Sequence, residues 1–138
     1  PSLILGAAEL SPIEVAQLYQ ALASGGQPLP LISVREVLDG DGNALTRFVR
    51  PRGSPAGSDA VKLVTVALNE TTLSGTARSL TQGAQMKLDS AGKTGTSDDQ
   101  RDSWYAGYTG EHLAVVWLGR DDNQPTHLSG ATGALKVW

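Results

Sequence analysis

Residues 91–97 read Ala-Gly-Lys-Thr-Gly-Thr-Ser, and they decide how the rest of the chain is read. On an extended strand successive side chains point to opposite faces, so Lys93 and Gly95 share one face and Thr94 and Thr96 the other. Such a strand offers a fixed positive charge, two hydroxyls and, at Gly95, a bare stretch of backbone. A peptide laid along it would meet backbone groups closely, with a cation beside its carboxylate. Gly92-Lys-Thr94 also resembles the end of a phosphate-binding P-loop, but that motif needs a glycine at position 87, which is Lys87. A plain solvated strand with a glycine kink is the other reading of these few residues. The surroundings must choose between them.

The chain has 138 residues, a net charge of −3 and 40% hydrophobic residues, which suits one compact domain or a fragment of a larger one. Basic residues are scattered, with the densest group at Arg47, Arg50 and Arg52 in a Pro/Gly-rich stretch, so no nucleic-acid surface is expected. Cysteine is absent, which excludes disulfide scaffolds, zinc–thiolate sites and a cysteine nucleophile. No apolar run approaches the ~18 residues of a membrane span. The start lacks both an initiator Met and the basic flank of a signal peptide, and the chain is expected to be cut from something longer.

Ser11-Pro-Ile-Glu14 is a helix start: Ser11 caps, Pro12 takes the first helical position and Glu14 closes a capping box. Val15, Leu18, Tyr19 and Leu22 follow the spacing of one buried face, and Gly25-Gly26 ends the helix. Residues 31–38 are β-rich. The Asp39-Gly-Asp-Gly-Asn43 segment that follows imitates a calcium loop, but Ala44 and Arg50 stand where that loop needs Gly and Glu. A hairpin turn into a strand at about 44–49 is expected instead. A second helix starts at Ser58 or Asp59 with Val61, Val64, Thr65 and Leu68 facing inward, and 73–78 turns into a short helix. Strands are expected at 86–97, 103–109 and 113–119, and a helix at 131–138. Leu113–Leu118 is apolar on both faces, as a central strand would be. This order is an α+β fold, an antiparallel sheet with helices packed on it, with the Lys-Thr-Gly-Thr run on the first of three consecutive strands near a sheet edge.

With these pieces in order, the chain resembles the C-terminal half of the transpeptidase domain of class A penicillin-binding proteins. The matching segments are Leu10–Ala16, Ala23-Ser-Gly-Gly26, Gly75-Thr-Ala77, Ala91–Thr96 and Asp102-Ser-Trp-Tyr105. Trp117-Leu-Gly-Arg-Asp-Asp-Asn-Gln-Pro-Thr126 narrows the likeness to the bifunctional branch of Gram-negative bacteria. Residues 1–138 are accordingly expected to be one partial transpeptidase domain. The resemblance implies a serine acyl transfer on peptidoglycan stem peptides and acylation by β-lactam antibiotics. It assigns catalytic roles to Lys93, which adds positive potential near the substrate carboxylate, and to Thr96, whose backbone N–H supplies half of an oxyanion hole. Lys93, Thr94, Gly95 and Thr96 together form the substrate-binding strand, with Gly95 admitting the substrate as an added strand. The resemblance implies no metal and no cofactor, and a location on the periplasmic face of the bacterial inner membrane in a membrane-anchored parent.

The nucleophile of this family belongs to a Ser-x-x-Lys motif on a helix. Ser90-Ala-Gly-Lys93 fits the letters, but Lys93 is committed to a strand, and no Ser-x-Asn occurs in the chain. By family order both missing motifs precede Pro1, in an N-terminal half that would be the partner of this segment. The segment alone is therefore expected to be inactive and unable to fold by itself. The alternatives are a serine β-lactamase or D,D-carboxypeptidase, and a non-catalytic β-lactam or muropeptide sensor. His112 and His127 read as surface residues, Asp102 as a local cap, and Trp104 and Tyr105 as core, although alternation buries only one of that pair.

Overall fold

The structure is a computed structural model that describes residues 8–49, 59–82 and 89–138. Helix α1 spans Pro12–Ala23. At its start both the backbone N–H and the hydroxyl of Ser11 donate to the Glu14 carboxylate, at 2.8 and 2.7 Å. These bonds hold the Glu14 carboxyl below its usual range. Gly25 and Gly26 have φ of +71° and +95°, and the Gly26 N–H bonds back to the Ala21 carbonyl at 2.7 Å. Two consecutive left-handed residues stop the helix at little steric cost only if both are glycine.

Strands β1 (Glu36–Leu38) and β2 (Ala44–Arg47) form a separate antiparallel hairpin. It is shorter than the sequence implies, and every residue in it is exposed. Its turn is built by Asp39, whose carboxylate accepts from the Asp41 and Asn43 N–H groups at 3.0 and 2.8 Å and from the Asn43 side chain at 3.1 Å. The Asp-x-Asp-x-Asn spacing thus serves an Asx-type turn.

Helix α2 runs Asp59–Leu73 and α3 Ser79–Gln82. Strand β3 covers Ala91–Thr96, β4 Ser103–Tyr108 and β5 Leu113–Leu118, in the antiparallel order β3-β4-β5. Lys93 lies opposite Ala106, Thr94 opposite Tyr105 and Thr96 opposite Ser103. Residues 86–88 of the expected first strand lie outside the described residues. The central strand is β4, where Ser103 and Tyr105–Tyr108 are buried. The expectation of a central Leu113–Leu118 is therefore corrected: β5 is an edge strand among the described residues, with Trp117 41% exposed. Its apolar pattern comes from cover on its faces, α1 and α4 both reaching it. Helix α4 is a single turn, Ala134–Val137, shorter than the expected 131–138.

Alternation sorts the sheet into two faces. Ser103, Tyr105 and Gly107 share a face with Gly92, Thr94 and Thr96, and there Tyr105, Ala77, Ala134 and Leu135 form the buried core, with Leu80, Val116 and Trp138 against it. The opposite face carries Lys93, Trp104 and Tyr108. There Tyr108 meets the Tyr19 ring of α1 edge-on at 6.4 Å and the Thr65 hydroxyl of α2 at 2.9 Å.

Each helix departs from the expected inner face at one residue, while Val15, Tyr19 and Leu22 on α1 and Val61, Thr65 and Leu68 on α2 are half-buried as expected. Leu18 is 57% and Val64 43% exposed, while Val61, Thr65, Leu68, Asn69 and Thr72 turn inward on α2. On α2 the physical reason is polar. The Asn69 amide and Thr72 hydroxyl donate to the Ser90 carbonyl at 2.8 and 3.1 Å, and the Thr71 hydroxyl donates to the Gly92 carbonyl. These bonds satisfy carbonyls on the free edge of the strand and set the roll of the helix.

Candidate functional site

Gly92 turns its carbonyl away from β4, toward Thr71. In an antiparallel ladder every second residue points both backbone groups to the same side, so Thr94 and Thr96 also face outward, along the free edge of β3. Helix α2 covers this edge as far as Gly92. Beyond it, the Thr94 carbonyl accepts from the strand's own Lys93 ammonium at 2.9 Å. Lys93 and Thr96 are exposed, and Thr94 and Gly95 are half-buried. The four residues singled out in the sequence therefore stand together on an accessible strand edge.

Each side chain has a different support. Gly95 lies over Trp104, and a Cβ there would come within 3.1 Å of the Trp104 Cβ. The bare backbone is thus backed by an aromatic ring. Trp104 packs at 6.1 Å against Trp117, whose indole N–H donates to Asp102 at 2.9 Å. The other Asp102 oxygen accepts from the Ser97 hydroxyl at 2.8 Å, and that hydroxyl accepts from the Asp102 N–H at 2.8 Å. Asp102 thereby closes the turn after the motif and fixes the ring behind it.

The threonines anchor the other face. Thr94 and Thr76 hydroxyls lie 2.7 Å apart. The Thr96 hydroxyl accepts the Gly130 N–H at 2.9 Å, which leaves its own proton to donate. A Cβ on Gly130 would sit 2.6 Å from the Gly95 and Trp104 carbonyl oxygens, so this loop rests directly on the ladder behind the motif. Neither Thr76 nor Gly130 was singled out by the sequence as a site residue. For Thr76 the available signal was the Gly75-Thr-Ala77 tripeptide, and for Gly130 there was none.

Other candidates separate cleanly. Tyr105 is fully buried and Trp104 half-buried, so the core reading holds for Tyr105 and not for its neighbour. Burial pushes the Tyr105 phenol above its usual range. Ser90 is buried immediately before β3 and in no helix, which separates it from a helical Ser-x-x-Lys nucleophile. His112 and His127 are exposed in loops. Among the described residues, no group of three His, Asp or Glu side chains could hold a metal ion, and no helix is long and apolar enough to cross a membrane. Chemically, the edge offers a cation, two hydroxyls and outward-facing backbone groups in a row, a set that takes an extended peptide with a carboxylate.

Comparison with known proteins adds a family. The model of the penicillin binding protein transpeptidase domain matches residues 3–132. The chain is 47% identical to penicillin-binding protein 1B of Vibrio cholerae over its whole length, covering 18% of that protein. It is 40% identical to penicillin-binding protein 1B of Escherichia coli, again over its whole length, covering 16% of it. The chain thus spans less than a fifth of either relative. Among solved structures it is similar to the penicillin-binding protein PonA1 of Mycobacterium tuberculosis, with a TM-score of 0.75 and 26% identity over 96% of this chain and 35% of that one. The same protein in complex with penicillin V superposes with a TM-score of 0.69 at 23% identity, a likeness of fold, over 96% of this chain and 35% of that one.

Proposed function

The chain belongs to the penicillin-binding protein transpeptidase domain family, and on that premise we propose that residues 1–138 form the C-terminal part of a serine D,D-transpeptidase domain that cross-links peptidoglycan stem peptides. The observation that carries this reading is the accessible edge of β3, where Lys93, Thr94, Gly95 and Thr96 present charge, hydroxyls and outward backbone groups in one row. A D-Ala-D-Ala terminus laid along that edge brings its carboxylate to Lys93 and to the hydroxyls of Thr94 and Thr96. Its scissile carbonyl then meets the Thr96 N–H, which stabilises the oxyanion as the carbonyl becomes tetrahedral.

The reacting serine, in a Ser-x-x-Lys motif, comes from the N-terminal half of the same domain. Its oxygen attacks the carbonyl and its proton passes to the departing D-Ala amine, leaving an acyl-enzyme. The amine of a neighbouring stem then attacks that ester, restores the serine and forms the cross-link. A β-lactam follows the first step and stays attached. The complex of PonA1 with penicillin V supports the binding of a β-lactam in this fold. No metal or cofactor takes part.

The N-terminal half also has a surface to meet. On α1 and α2, Ile13, Leu18, Leu63 and Val66 are 66, 57, 70 and 67% exposed, an apolar surface that a partner must cover. Relatives several times longer than this chain fit such a partner, with a parent that carries a glycosyltransferase domain and is anchored at the periplasmic face of the inner membrane.

The test is acylation by a labelled penicillin in the full-length protein. A charge-assisted hydrogen bond contributes about 1.5–3 kcal/mol, so Lys93→Ala slows acylation by roughly one to two decades. An unchanged rate removes the assignment.

A further inference from the structure

We infer that Thr76 is a positioning residue of this groove, its hydroxyl setting the direction in which the Thr94 hydroxyl donates to an incoming carboxylate. The inference rests on the proposed substrate edge and extends it to a residue from another element. The Thr76 and Thr94 oxygens are 2.7 Å apart, and this is the one hydrogen bond of the Thr76 side chain among the described residues. Each hydroxyl has a single proton and can accept as well as donate. When Thr94 gives its proton to a carboxylate, the bond between the two survives only with Thr76 as donor. The order is then Thr76 O–H to Thr94 Oγ1, and Thr94 O–H to the anion. Bonds in such a chain polarise one another and strengthen the last.

The backbone holds Thr76 for this task from both sides. A Cβ on Gly75 would lie 2.7 Å from the Thr71 Cα and 2.9 Å from the Thr71 carbonyl oxygen, so the turn lies flat on the last turn of α2. Ala77 is fully buried in the core, and its N–H bonds to the Thr71 carbonyl at 3.0 Å. Thr71 in turn donates its hydroxyl to the Gly92 carbonyl, tying the same turn to β3 two residues before Thr94. Between a glycine that allows contact and an alanine that fills the core, Thr76 alone is exposed. A hydroxyl fixed so firmly yet left at the surface beside Thr94 is pre-organised, and pre-organisation matters where an anion must be met without rearrangement.

The experiment measures second-order acylation by a carboxylate-bearing penicillin in the full-length protein, together with thermal unfolding. Thr76→Val keeps the shape and removes the donor, and it slows acylation roughly 3- to 10-fold, the worth of one neutral hydrogen bond. Thr76→Ser restores most of the rate. In the Thr76→Val/Thr94→Val double variant the loss equals that of Thr94→Val alone, because Thr76 acts through Thr94. Losses that multiply in the double variant, a full rate in Thr76→Val, or a Thr76→Ser variant as slow as Thr76→Val each overturn the inference. Should Thr76→Val fail to fold, Thr76→Ala carries the same comparisons. Lys93→Ala separates the two levels. If it leaves acylation unchanged, the groove reading falls and Thr76 with it; if it slows acylation while Thr76→Val does not, only the role of Thr76 falls.

Discussion

Gly130→Ala probes whether the loop behind β3 holds the motif in place. The added Cβ would sit 2.6 Å from the carbonyl oxygens of Gly95 and Trp104 and 2.9 Å from the Gly95 nitrogen. All three are backbone atoms within the β3–β4 ladder, so no side chain can swing aside. Reaching even the 3.4 Å limit of ordinary contact means opening the shorter gaps by 0.8 Å. That movement stretches the Gly130 N–H bond to Thr96 from 2.9 Å and the Leu135 N–H bond to the Gly130 carbonyl, also 2.9 Å, beyond useful length. Overpacking of this kind costs about 1–3 kcal/mol, and each lost hydrogen bond adds about 0.5–1.5 kcal/mol. The expected destabilisation is thus about 2–6 kcal/mol, with Thr96 released from its anchor and acylation slowed. The assay is denaturant unfolding and labelled-penicillin acylation of the full-length protein, with Gly110→Ala as control. A Cβ on Gly110 would meet nothing within 4 Å, and its substitution stays within about 0.5 kcal/mol. If Gly130→Ala unfolds and acylates like the control, the loop does not support the strand.

Three other contacts give shorter predictions. Ser103→Ala removes a fully buried hydroxyl that donates to the Ser129 carbonyl at 2.8 Å and accepts the Ala134 N–H at 2.9 Å; it destabilises by about 1–3 kcal/mol in denaturant unfolding, and a neutral result excludes the bridge. Asp122 is held down to about 2, first by the Arg120 side-chain bond and then by the Gln124 N–H. Because its folded value lies below the usual 3.8, its stabilising effect is complete above about pH 4 and fades as pH falls toward 2. Carboxyl NMR titration checks this, and a midpoint near 4 contradicts it. Asp102→Asn keeps the shape of the side chain but weakens its hold on the Trp117 indole, now 2.9 Å away; the Trp117 fluorescence shifts and broadens, and an unchanged spectrum shows that the ring is fixed by packing alone.

Much of the local architecture was legible in the residues. The start of α1 was readable because Ser11 and Glu14 cap it through bonds only three residues long. The β1–β2 turn was readable because Asp39 bonds to its own neighbours. The exposure of Leu18 and Val64 was not, since hydrophobic spacing sees both as equal members of an apolar face. On α2, Asn69 and Thr72 outvote that face by reaching the carbonyl of Ser90, 21 and 18 residues away. Among the described residues, the place of Leu113–Leu118 at a sheet edge differs from the expected central one for a related reason. Apolar residues on both sides of a strand report cover above and below it, and say nothing of whether another strand lies beside it.

The substrate strand divides in the same way. Its chemical inventory, a lysine, two hydroxyls and a glycine in a row, together with the alternation that puts Lys93 and Gly95 on one face, follows from residue type and the period of an extended chain. Which edge of that strand stays open, and what stands behind it, follows from contacts between distant segments. α2 meets the edge at Gly92 through Thr71, Thr76 meets Thr94 across 18 residues, and Gly130 meets Thr96 across 34. Such contacts depend on how whole elements pack, and no local pattern of residues encodes them.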